Sequence, residues 1–412
     1  MSRIAYRAER LVTCDAARAD QDDPLGVIED AAMVVEDGRI AWLGEASNAP
    51  GDAPIVDLSG VVTPGLVDAH THAAWVGSRH GEYAIRMAGG DYASIAASGG
   101  GILASHRALA GSSHDHVARV LAARLRRMAR LGVTTCEIKS GYGLDPELEL
   151  RQLQVMAGLR LVPDLPRIVP TFLALHALPP SHAGDRDGYV KEVLEATLPR
   201  VARKGLATYV DAYVDRDAFT VEEARRLGVA AKALGLALRL HVGQFSDIGG
   251  AELARELGAH SADHLEHIGD AGIAALVEGV VFAGLLPLAA FTLGQSPPPI
   301  AKMRAAGVAF VVASDANPGT APTESLPLAL AHAVRSYGLT PAEALLGATR
   351  HAAASLGLEG ITGALAVGCS ADFVHWDLPH ENAIIQPWGV SRTRLVVRDG
   401  VLLSETRETP YV

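Results

Sequence analysis

Eight short apolar segments separated by helical signals predict an α/β fold: a (β/α)8 TIM barrel, with a small β-sandwich domain built from both termini. The segments, at residues 66–72, 133–139, 167–173, 208–214, 236–242, 260–265, 280–286 and 308–314, are near-continuous apolar runs. Parallel strands covered on both faces require such runs. Helix starts fall between or beyond them. Thr220-Val221-Glu222-Glu223 is a capping box, and Thr340-Pro341-Ala342-Glu343 combines an N-cap, a first-turn proline and a glutamate three on. Residues 116–131 set Val117, Val120, Leu121 and Leu125 on one helical face.

The two ends repeat one pattern, with apolar strands flanking Asp37-Gly38 and Asp399-Gly400. Glycine accepts the positive φ of a tight hairpin turn. Neither hairpin region is large enough to bury a core alone, so they are expected to share one small domain. The division is then 1–62 and 365–412 for the small β domain and 63–364 for the barrel. A doubly wound sheet is the fallback, but no glycine-rich phosphate fingerprint follows the first strand.

The bulk composition sets limits on function. With 412 residues, 49% hydrophobic and 20% charged, the chain is globular in composition. A net charge of −11 argues against a nucleic-acid footprint. Cys14, Cys136 and Cys369 are too few and too scattered for a disulfide framework, which points to a reducing, cytoplasmic setting. The uncharged stretch from Gly279 to Ala301 is broken by Pro287 and Pro297-Pro298-Pro299. It reads as a buried strand and a loop, not a membrane span.

Chemistry in such a barrel sits at the C-terminal ends of its strands. Those ends carry His70 and His72, then Lys139 and Tyr142, His176, His241, His264 and Asp315. Residues two apart on a strand share a face, so His70 and His72 can meet one metal ion. With His241 they supply neutral nitrogens that suit Zn, Fe, Ni or Cu. Asp315, on the last strand beside the first, reaches both metal and water. A metal brings bound water to a pKa of about 7, and Asp315 can carry its proton to a leaving nitrogen. His264 is left to polarise a carbonyl. The fourth segment, Tyr209 to Val214, holds no lysine to bridge a second ion, so one metal is expected.

These residues resemble the amidohydrolase superfamily and, within it, the imidazolonepropionase family. The resemblance rests on Pro64-Gly-Leu-Val-Asp-Ala-His-Thr-His72, the Gly99-Gly100-Gly101-Ile102 loop, Glu137-Ile-Lys-Ser-Gly-Tyr-Gly143, Thr171-Phe-Leu-Ala-Leu-His-Ala177, Ser261-Ala-Asp-His-Leu265 and Asp315-Ala-Asn-Pro-Gly-Thr320. It implies His70, His72, His241 and Asp315 as ligands to one divalent or trivalent ion, Zn or Fe. The implied reaction is hydrolysis of the cyclic amide of 4-imidazolone-5-propanoate to N-formimidoyl-L-glutamate in histidine degradation. Water activated at the metal would attack the ring carbonyl, with Asp315 and His264 as the catalytic pair.

By the same resemblance Arg79 grips the propionate, Tyr92 and Tyr142 line the pocket, and His176 faces the ring. Asn317, Gly319 and Thr320 would contact substrate, and a homodimer is implied. One departure stands out. Where the family usually has His-Ala-Asp-Glu or His-Ala-Asp-Gln, this chain has His241-Val242-Gly243-Gln244. Gln244 can hydrogen-bond the ring but cannot carry a proton. Rival readings are another mononuclear cyclic amidohydrolase, an aminohydrolase (deaminase) of the superfamily, and a non-catalytic scaffold. Gln244 counts against the deaminase, and the intact ligand set counts against the scaffold. The long connection from Ala73 to Arg107 is expected to cover the pocket, with Pro287–Pro299 as another wall.

Overall fold

The computed structural model describes residues 3–90, 100–386, 388 and 390–406. Strands β1 (Arg3–Val12), β2 (Val27–Glu36), β3 (Arg39–Glu45) and β4 (Ile55–Pro64) come first. The barrel strands follow: β5 (Leu66–Asp68), β6 (Val133–Lys139), β7 (Arg167–Leu175), β8 (Tyr209–Val214), β9 (Ala237–Val242), β10 (Ser261–His264), β11 (Phe282–Leu285) and β12 (Phe310–Val312). The chain ends with β13 (Phe373–Trp376), β14 (Thr393–Arg398) and β15 (Val401–Glu405).

Strands β5 to β12 pair in sequence order, all parallel. The last strand returns to the first. Ser314 donates its N–H and hydroxyl to the Asp68 carboxylate at 3.0 and 2.6 Å, and a Thr71–Ala316 bridge joins the segments beyond. Each expected strand segment thus overlaps an observed strand, and β7 runs two residues past its expected end. The first is shorter than expected: it ends at Asp68, and His70 and His72 lie on the segment after it. Its direction is kept by bonds to both neighbours, from Lys139 N–H to Thr71 O (2.9 Å) and from His72 N–H to Ala316 O (3.0 Å).

The terminal strands form one seven-stranded mixed sheet, in the order β15-β14-β13-β4-β1-β2-β3. Asp37 and Gly38 have φ of 48° and 78°, and Asp399 and Gly400 have 50° and 73°, so both predicted turns take the left-handed geometry. The sheet curls until these turns meet: Ala371 N–H donates to Gly38 O, and Gly400 N–H to Ala371 O. The two layers of a sandwich therefore come from one hydrogen-bonded sheet, closed around Leu11, Met33, Ile40 and Phe373. It is fastened to the barrel by Arg167, which reaches Asp372 at 2.7 Å and Asp399 at 2.8 Å.

Both capping boxes form. The helix read at 116–131 spans His114–Ala129, started by Ser113. Two connections differ from expectation. Residues after β11 form a helix, Pro287–Leu293, because proline suits a first turn as well as it breaks a later one. The Ala73–Arg107 connection contains a helix, His80–Met87, which buries none of its own residues and at eight residues is too short for its apolar period to be read. No helix among the described residues is long and apolar enough to cross a membrane.

Candidate metal and substrate site

At the strand ends the Nε2 atoms of His70, His72 and His241 converge with Asp315 Oδ1. His241 and His72 stand 3.3 Å apart, and Asp315 Oδ1 lies 3.6 Å from His70 and 3.5 Å from His72. A tetrahedral ion with bonds of about 2.0–2.1 Å separates its ligands by roughly 3.4 Å. His70 Nε2 and Asp315 Oδ1 are buried and hydrogen-bond to no other protein group. Buried polar atoms are seldom left so, and a shared cation satisfies them. The three imidazoles form the one His, Cys, Asp or Glu group of metal-binding geometry found among the described residues. The donor set fits one ion.

A layer of charge beneath aims these donors. His70 Nδ1 meets Asp263 Oδ2 at 2.7 Å, and His241 Nδ1 meets Asp211 Oδ2 at 2.9 Å. Each carboxylate fixes a tautomer that leaves Nε2 for a metal. Asp211 is held in turn by Lys139 (2.9 Å), which also pairs with Glu137 (3.0 Å), and Arg239 lies 3.6 Å from Asp263. Lys139 is therefore fully buried under the site, not in it. Burial alone would raise the Asp211 pKa, but His241 and Lys139 hold it well below the usual carboxylate range. Burial pushes His70 and His72 down, aided by nearby positive and imidazole groups, so both are neutral as ligands must be. Burial pushes Asp315 up to about 7, against the pull of His264. Asp315 (φ 51°) and His264 (φ 85°) both adopt left-handed backbone, uncommon for such side chains.

A cavity of about 480 Å³ opens above this ring. His72, Arg79, Tyr142, His176, His241 and Gln244 line it, as do His264, Asp315, Asn317 and Thr320. Tyr92 lies outside the described residues. His176 Nδ1 faces Gly141 O at 2.7 Å, which makes Nδ1 the donor and leaves Nε2 toward the cavity. Burial lowers its pKa to about 4. Gln244 Oε1 accepts from the Tyr213 hydroxyl at 2.8 Å, so its amide N–H groups are left for a ligand. Gly243 has φ 69°, which explains a glycine at the departure from the family pattern.

The 315–320 loop is tied up internally. Asn317 Nδ2 donates to Asp315 O (2.7 Å) and Oδ2 (3.0 Å), while its Oδ1 accepts the N–H groups of Gly319 and Thr320, both at 2.8 Å. Asn317 thus braces the Asp315 carboxylate. Gly319 lies against the Arg79 guanidinium, and a Cβ there would stand 2.6 Å from Arg79 Cζ. Arg79 is held by Glu82, with Nε at 2.8 Å and Nη2 at 2.7 Å.

The sequence reading missed Arg86, which lines the same cavity and reaches Gly319 O at 3.3 Å. Its signal was the seven-residue spacing from Arg79, two helical turns that return to one face. Tyr213, Asp211 and Asp263 were also missed, because partners to ligands carry no spacing rule of their own.

Known proteins match this chain along its length. The profile of the amidohydrolase family covers residues 61–403. Imidazolonepropionase of Maricaulis maris is 45% identical over 368 residues, covering 89% of this chain and 91% of that one. That of Anaeromyxobacter dehalogenans is 43% identical over 418 residues, covering 99% and 98%. The chain belongs to the imidazolonepropionase family of amidohydrolases. Solved structures share its fold at lower identity. Escherichia coli guanine deaminase superposes with a TM-score of 0.74 at 16% identity, over 99% of this chain and 100% of that one. An adenosine deaminase from Xanthomonas campestris gives 0.71 at 18%, over 99% and 94%. As an imidazolonepropionase family member, the chain presents its four-donor cluster at the barrel end where amidohydrolase chemistry is expected.

Proposed function

We propose that this chain hydrolyses the cyclic amide of 4-imidazolone-5-propanoate to N-formimidoyl-L-glutamate, with one Zn or Fe ion held by His70, His72, His241 and Asp315. The observation that carries the reading is the pairing of that donor cluster with a cavity wall bearing two arginines. A ring to be hydrolysed and a carboxylate to be gripped need those two features in one chamber. When bound, such an ion lets water ionise near neutral pH.

The protein groups do the rest. Arg79 and Arg86 hold the propionate, for which a guanidinium fork is the matching shape. Gln244 donates to the ring and His176 Nε2 accepts from a ring N–H. As water adds to the carbonyl carbon, Asp315 takes its proton and then delivers it to the ring nitrogen whose C–N bond breaks. His264 donates to the carbonyl oxygen as negative charge develops there. The product carries a new carboxylate where the amide was, and its formimidoyl nitrogen keeps the proton.

The test is turnover of 4-imidazolone-5-propanoate by wild type, Arg79→Ala and His264→Ala, with product identified by mass. Loss of one charged hydrogen bond, about 1.5–3 kcal/mol, raises KM for Arg79→Ala about 10- to 100-fold with metal content unchanged. His264→Ala keeps the metal and loses kcat. Release of ammonia in place of ring opening would instead favour a deaminase.

A further inference from the structure

We infer that Glu266, backed by Tyr337, is a positioning residue that orients the His264 imidazole toward the substrate carbonyl. The inference rests on the role given to His264 above. His264 and Leu265 have φ of 85° and 70°, two successive left-handed residues outside glycine. That double turn brings residue 266 back beside residue 264, and it is pinned by Leu265 N–H to Val242 O (3.0 Å) and His267 N–H to Gly243 O (2.8 Å). Strain of this kind persists where surrounding structure enforces it, commonly at working sites.

The result is a closed polar chamber behind the imidazole. The Glu266 and His264 side chains are 1% and 3% exposed, with Oε2 3.7 Å from Nδ1. Tyr337 is also buried, and the same carboxylate adds to the burial that raises its hydroxyl pKa. His264 Nδ1, both Glu266 oxygens and the Tyr337 hydroxyl are all buried without a hydrogen-bond partner, and they face one another. Among the described residues, His264 is the ion-pair partner that Glu266 has. A carboxylate buried this far without a cation or donor is costly, so these groups make sense as one set. At 3.7 Å the Glu266 carboxylate is an ion-pair neighbour of Nδ1, so it favours the form of His264 with a proton on Nδ1, and Nε2 is then the atom presented to the cavity that His264 lines.

The experiment compares Glu266→Gln in the wild-type and His264→Ala backgrounds, on metal-replete protein, with kcat, KM, metal content and melting temperature recorded. Glu266→Gln keeps the side-chain volume. We expect kcat to fall about 10- to 100-fold, KM to move less than about twofold, and metal content to hold. In the His264→Ala background the second substitution should change kcat less than about twofold, because its effect passes through the imidazole. Equal losses in both backgrounds, or loss of metal with kcat, would reduce Glu266 to a structural residue and overturn the inference. Full kcat in Glu266→Gln beside a depressed His264→Ala would overturn it while leaving the role of His264 intact. Full kcat in His264→Ala would remove both. Should Glu266→Gln fail to fold, Tyr337→Phe, which deletes only a hydroxyl, carries the same two-background comparison.

Discussion

Gly319 and Arg79 occupy the same few ångströms, and each explains the other. The guanidinium lies where a Cβ would be, 2.6 Å from its Cζ. Gly319→Ala must therefore push Arg79 aside. Since neither residue meets the donor cluster, we predict a raised KM with metal content unchanged; metal loss by elemental analysis would contradict this. Asp263 gives the opposite case. It touches no ligand atom that faces the metal, but it fixes His70 from behind at 2.7 Å. Asp263→Asn should weaken metal affinity about 10- to 100-fold, read by competition with a chromogenic chelator. At this scale the sequence revealed the residues that recur at strand ends, such as His241 and Asp315. It did not reveal those that act through a neighbour. Asp211 and Asp263 are defined by histidines on other strands, and Glu266 by a pair of left-handed residues that turns it back on His264, and no local pattern encodes either.

Elements were legible wherever one physical signal dominated. Continuous apolar runs marked the barrel strands because burial on both faces leaves no other composition open to them. The Thr340 and Thr220 boxes marked helix starts because the side chain and N3 glutamate satisfy otherwise orphan N–H groups. Thr340→Ala should cost about 1 kcal/mol, lowering the melting temperature by a few degrees at most with activity unchanged. The helices His80–Met87 and Pro287–Leu293 were not read: one is too short for its apolar period to be read, and the other begins at a residue that usually signals an end. The 315–320 loop was legible as a site but not as a brace. Asn317 spends its amide on Asp315, Gly319 and Thr320. Asn317→Ala should thus free the Asp315 carboxylate and lower kcat about tenfold, the worth of one to two hydrogen bonds. A change confined to KM would instead make Asn317 a substrate contact.

Across the whole molecule, the terminal sheet and the barrel are joined by charge as well as by chain. Arg167 leaves the start of β7 to pair with Asp372 and Asp399, so the closing turns of the sheet are anchored at the end of the barrel where β7 begins. The opposite end is left to the site. The proposed chemistry draws on four donors contributed by β5, β9 and β12 and the segments that follow them, which the barrel brings together, with His72 3.3 Å from His241 and Asp315 within 3.6 Å of His70 and His72. The measurement that tests this most directly is metal reconstitution. Protein stripped by chelator is assayed for loss of 4-imidazolone-5-propanoate at its ultraviolet band, against a no-enzyme control, as Zn or Fe is titrated back. The account predicts background turnover without metal and recovery complete at about one equivalent per chain. Undiminished turnover by the stripped protein, or recovery that requires two equivalents, would contradict it.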